Sequence, residues 1–99
     1  MTEASCQRDV LVQGMRQAIE AFEACQLQLE RFLWELKSRI AALRGVADEA
    51  WADELKAIWN QLELVNAFFI NSGREQLSAE ERKEIDDVLA ELRSALVAY

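Results

Sequence analysis

In this 99-residue chain without histidine, any chemistry would have to begin from carboxylates and two thiols. Glu20 with Glu23, and Glu80 with Glu84, have the spacing that puts two carboxylates on one helix face. Paired helical carboxylates are how a di-iron bundle holds its metals, but that site also needs the histidine of Glu-x-x-His. These acids fall off the apolar stripes, so a solvated helix face explains them better. The lack of histidine also removes Ser-His triads, Cys-His dyads and imidazole ligands. Cys6 and Cys25 are too far apart in sequence for a zinc-site spacing. Gly14, Gly45 and Gly73 are too dispersed for a phosphate-binding loop. The expectation is a non-enzyme with no cofactor and no metal.

Charge is more informative. The formal net charge is −7, and it is unevenly spread. Residues 1–45 hold six acids and six bases, whereas residues 46–99 hold twelve acids and five bases. Phosphate backbones and anionic lipid headgroups need the opposite sign, so nucleic acid and membrane are poor partners. A basic protein surface is a better one, since opposite fields speed encounter and select partners. Asp48, Glu49, Asp53 and Glu54 form one candidate binding cluster, although the positive end of the following helix is the simpler account of them. Glu80, Glu84, Asp87 and Glu91, with Glu81 and Asp86 among them, exceed what one helix end needs; solubility alone is the bland account. Leu27 and Trp34 form a further candidate site. They are seven residues apart in "QLQLERFLWELK", and tryptophan is favoured at interface hot spots.

The elements that position these residues are helices. Proline is absent and only three glycines occur, so little interrupts helical propensity. Helix one is expected over about 7–44. Leu11, Met15, Ala18, Phe22, Cys25, Leu29, Phe32, Leu36 and Leu43 step by four and three, as along a helix packed on a partner. The step missed at Arg39 marks a drift to a local stripe of Leu33, Leu36, Ile40 and Leu43. Trp34 lies roughly 120° from that stripe, on a flank where a third helix or the stems of Arg and Lys can cover it. Cys25, on the main stripe, is expected to be a buried thiol.

Gly45 suits a helix C-cap and Asp48 an N-cap. Helix two, about 49–72, then carries Trp51, Leu55, Ile58, Leu62, Val65 and Phe69. Trp59 and Phe68 flank this stripe and are expected in the core, with Asn66 beside them. Gly73 closes the helix. Helix three, about 79–98, opens with the capping box of Ser78 and Glu81. Its stripe is Ile85, Leu89, Leu92, Leu96 and Tyr99.

Short connections make these antiparallel neighbours, giving a single all-α domain over 1–99: an antiparallel three-helix bundle with coiled-coil-like packing. At 1.5 Å per residue helix one is about 57 Å long and helix two about 37 Å. The N-terminal part of helix one therefore overhangs by roughly 20 Å. Its apolar stripe there, Leu11, Met15, Ala18 and Phe22, would need another chain, and a homodimer is the expected assembly. The first residues show no apolar run behind a basic start, and no segment approaches the length of a membrane span, so the expected location is cytoplasmic.

In size, acidity and helical content the chain resembles the small cytoplasmic immunity proteins of bacterial toxin systems. The likeness is strongest over residues 54–92, "ELKAIWNQLELVNAFFINSGREQLSAEERKEIDDVLAEL", which has the look of a helical hairpin from such proteins. What it implies is an inhibitor that neutralises a basic partner such as a toxin or nuclease domain. The competing expectation is an adaptor or small chaperone, a dimeric bundle whose apolar grooves hold a partner helix through Leu27, Trp34 and the N-terminal overhang.

Overall fold

A computed structural model describes residues 3–97. It contains four helices, α1 (Glu3–Glu23), α2 (Leu29–Leu43), α3 (Glu49–Ser72) and α4 (Ala79–Val97), and no strand among the described residues. The expected three-helix bundle is thus a four-helix bundle, because the long first helix is broken in two.

The break is a helix-ending motif made without glycine or proline. Gln26 N–H donates to the Ala21 carbonyl at 2.9 Å and Cys25 N–H to the Phe22 carbonyl at 3.0 Å. Those are the two hydrogen bonds of a Schellman turn. Cys25 takes the left-handed position, with φ 61°, which is normally given to glycine. The chain then reverses, and the Phe22 ring stacks on Phe32 with centroids 4.7 Å apart. Cys25 is consequently exposed, as is Cys6, and the two are not bridged. The stepping by four and three carried across the turn because Phe22, Cys25 and Leu29 keep that spacing while their backbone does not stay helical.

The remaining ends follow the local chemistry. Asp48 caps α3, its carboxylate accepting from Ala50 N–H at 2.9 Å. Gly73 ends α3 with φ 69°. The capping box of α4 is reciprocal: Ser78 N–H donates to Glu81 at 2.8 Å and Glu81 N–H to the Ser78 hydroxyl at 3.1 Å. At the end of α2 the C-cap is Arg44 rather than Gly45. There Gly45 and Val46 N–H donate three residues back, to the Ala42 and Leu43 carbonyls, tightening the last turn. The expected end of helix three at residue 98, and the stripe position Tyr99, lie outside the described residues.

Sequence neighbours pack antiparallel. Gly14 on α1 lies against Arg39 on α2, Arg44 at the end of α2 pairs with Asp53 on α3, and Trp51 on α3 reaches Ala95 on α4. The ring closes where Arg93 of α4 forms a two-pronged ion pair with Glu23 of α1. The longest dimension is 47 Å, shorter than the about 57 Å an unbroken first helix would need.

The core is wholly apolar and runs through all four helices. The drifted stripe of Leu33, Leu36, Ile40 and Leu43 is buried as expected, and so are Trp51, Leu55, Ile58, Leu62 and Val65. Trp51 and Trp59 each bury an indole and satisfy its N–H on a helix carbonyl. Trp51 donates to Ala95 at 3.0 Å and Trp59 to Leu33 at 2.8 Å. Phe68 differs from its expected place: it is 70% exposed. Val65 holds the core position on that side of α3, leaving Phe68 further round the helix, on its outer side.

The overhang that called for a second chain does not exist. Met15 and Ala18 are buried in the chain's own core, and Leu11 and Phe22 pack against it half-buried. Folding α1 back onto α2 gives that stripe its cover.

Candidate partner-binding surfaces

The bundle separates the expected binding residues into three places. Asp48, Glu49, Asp53 and Glu54 are all exposed, at the end of the bundle where α3 begins. Two of them are already engaged, Asp48 as the N-cap and Asp53 with Arg44 at 2.6 Å. That cluster is chiefly helix-end chemistry.

Glu80, Glu84, Asp87 and Glu91 are exposed along α4. Their spacing of four, three and four puts them on one helix face. None of the four pairs with a base among the described residues. Glu81, by contrast, is turned inward to the cap and also receives Arg74 at 2.8 Å. The Ser78 backbone N–H, with the Ser78 hydroxyl and Arg74, holds its carboxyl below the ordinary range. Glu80, Glu84, Asp87 and Glu91 therefore present a negative stripe free of internal ion pairs, flanked by Lys83, while the better-connected acid beside them serves the fold.

Leu27 and Trp34 do not share a site. Leu27 is half-buried against the core and borders an open cleft of about 900 Å³ at the end of the bundle formed by the α1–α2 and α3–α4 turns. Phe22, Phe69, Ile70 and Leu77 line the same cleft. Trp34 is 56% exposed and borders a different groove, of about 790 Å³, between α1 and α2 beside Val10. The Arg31 guanidinium lies 4.7 Å from its ring centroid, the stem-over-indole shielding expected for a flank tryptophan. Arg31 is itself tied to Glu35 at 3.3 Å, and Glu35 to Arg39. Arg39, with Arg31 adding to it, lowers the Glu35 carboxyl below its ordinary pKa.

Two exposed apolar residues were not foreseen as a surface. Leu64 and Phe68, 62% and 70% exposed, lie one turn apart on the outer side of α3. Their signal in the sequence was that Leu64 lies off every stripe of helix two. Phe68 was hidden by its position beside Phe69, which is half-buried.

Among the described residues no group of three or more His, Cys, Asp or Glu could hold a metal ion, and no helix is long and apolar enough to cross a membrane. The fold defines the class: an up-and-down four-helix bundle with an acidic outer face on its last helix. No protein-family model matches the chain, and no curated protein or solved structure is significantly similar to it.

Proposed function

We propose that this chain is a non-catalytic protein-binding module of the inhibitor or immunity type, which binds and neutralises a basic protein partner. The observation that carries this reading is the stripe of Glu80, Glu84, Asp87 and Glu91, exposed and unpaired along α4. Carboxylates without an internal partner gain most from an external cation, and their field steers a basic surface toward this face. The charge imbalance between the chain's two halves supports the same sign of partner. The adaptor reading loses its support here, since its anchors Leu27 and Trp34 border different clefts and the N-terminal stripe is covered.

Capture of the native partner by Asp/Glu→Lys variants tests the proposal. Substitution at Glu80, Glu84, Asp87 and Glu91 should abolish capture, and wild-type capture should weaken as salt screens the pairing. Substitution at Asp48, Glu49, Asp53 and Glu54 should weaken it less. Unchanged capture by every variant would sink the proposal.

A further inference from the structure

The helical register brings the acidic stripe and the exposed apolar pair to one face. On α3 the indole of Trp59 reaches toward α2, where it bonds Leu33. The opposite flank of that helix, carrying Ala57, Gln61, Leu64 and Phe68, therefore lies on the α4 side. On α4, Arg93 reaches toward α1 to pair with Glu23. Its opposite flank, carrying Glu80, Glu84, Asp87 and Glu91, therefore lies on the α3 side. The two helices are antiparallel, with Trp51 level with Ala95. Counting inward from that pair sets Leu64 level with Arg82, between Glu80 and Glu84, and Phe68 level with Ser78, two residues before Glu80.

From this juxtaposition we infer that the outer α3–α4 face is a docking surface for a single basic amphipathic helix of a partner protein. The inference rests on the proposed function and specifies its site. Leu64 and Phe68 are one turn apart, so they receive two apolar side chains at one-turn spacing on the incoming helix. The carboxylates run alongside for eleven residues, about 17 Å, which is the length of roughly three helical turns. Lys or Arg on the flank of the incoming helix then pairs with them. Charge selects this occupant over the others. A second copy of the chain would bring the same carboxylates against these, and anionic lipid or nucleic acid would be repelled likewise. The Trp34 groove offers no such complement, because its Asp9, Glu35 and Arg39 are of mixed sign and Arg31 lies over the indole.

The test uses the full chain and a synthetic three-turn peptide with leucines at one-turn spacing and lysines elsewhere. A second peptide of the same composition has the leucine spacing scrambled. Titration followed by backbone amide shifts should give saturable binding, with perturbations centred on residues 57–68 and 80–91. The scrambled peptide should bind at least about tenfold more weakly, since apolar anchors supply what Coulomb attraction does not. The exposed double variant Leu64→Asn/Phe68→Asn should keep wild-type helicity and lose a similar factor. Replacing Glu80, Glu84, Asp87 and Glu91 by the neutral amides should weaken binding and remove its salt dependence.

Perturbations centred on Val10 and Trp34, equal binding of both peptides, or no saturable binding overturns the inference. So does concentration-dependent self-association abolished by the Leu64/Phe68 variant. If the apolar variant binds the native partner like wild type while the amide variant does not, this inference falls and the proposed function stands. If neither variant affects the native partner, both fall.

Discussion

The side chain of Arg39 on α2 lies in the space that Gly14 on α1 leaves by having no Cβ. A methyl group built there would overlap Nε and lie 3.2 Å from Cδ. Glycine inside a helix costs about 1 kcal/mol relative to alanine, so Gly14 trades helical propensity for close approach of α1 and α2. The helix α1 continues through it. Gly14→Ala should recover the propensity but push Arg39 off Glu35, a partly buried i,i+4 pair worth roughly 0.5 kcal/mol. The single variant is therefore expected to stay within about 0.5 kcal/mol of wild type, whereas in an Arg39→Ala background it should stabilise by about 1 kcal/mol. A double-mutant cycle by urea unfolding measures the difference, and equal effects in both backgrounds would refute the packing account.

Cys25 holds a left-handed conformation that an L side chain adopts at a cost of roughly 1 kcal/mol. Cys25→Gly removes that cost and gives back part of it through greater unfolded-state entropy. The expected net is stabilisation of about 0.5 kcal/mol, while Cys25→Val, β-branched at positive φ, should destabilise by about 1 kcal/mol. Gly73→Ala makes the same demand at φ 69° with no neighbour in the way, and should also cost about 1 kcal/mol. The denaturant midpoints of the three variants should order accordingly, and a destabilised Cys25→Gly would contradict the turn geometry.

The three tryptophans should separate cleanly. Trp51 and Trp59 are buried and hydrogen-bonded, so truncation to alanine should cost about 3–5 kcal/mol each. Trp34→Ala forfeits a stacked guanidinium at an exposed site, worth about 0.5–1 kcal/mol. Thermal unfolding of the three variants checks this order. A Trp34→Ala loss comparable with the other two would make Trp34 part of the core.

The helices were legible wherever their ends are written in side chains. Asp48, Gly73 and the Ser78–Glu81 pair each name a boundary, and those boundaries hold to within the described residues. The α1–α2 turn was not legible because its ending is carried by backbone hydrogen bonds and by an unusual φ at Cys25, neither of which composition reveals. One unseen turn then propagated: it made three helices of four, an overhang of a covered stripe, and a buried thiol of an exposed one. The acidic residues of the candidate surface could be picked from the sequence, but their separation into working and unpaired groups could not. That division depends on which base each acid reaches, as Arg44 reaches Asp53 and Arg74 reaches Glu81. Leu64 and Phe68 became a surface only once the packing placed them on the outer side of α3, away from the core.

Acid stability follows from Glu35 and Glu81, both held below the ordinary carboxyl range in the fold. Arg39 is the main cause for Glu35 and the Ser78 N–H for Glu81. A carboxyl whose folded pKa lies below its unfolded value, about 4.3 for glutamate, stabilises the fold fully above that value. The contribution disappears as pH falls through the lower folded pKa, when protonation breaks the pairing. Stability should therefore be nearly flat with respect to these two groups from about pH 8 to pH 5 and decline below about pH 4. Glu81→Gln keeps an acceptor for the capping box but has no charge to lose, so its decline should be shallower while its neutral-pH stability falls modestly. Glu35→Gln should act in the same direction and independently, because the two sites belong to different helices and share no partner. Urea midpoints between pH 3 and pH 8 decide the matter. An acid limb of unchanged steepness in the double variant would assign acid unfolding to other carboxylates.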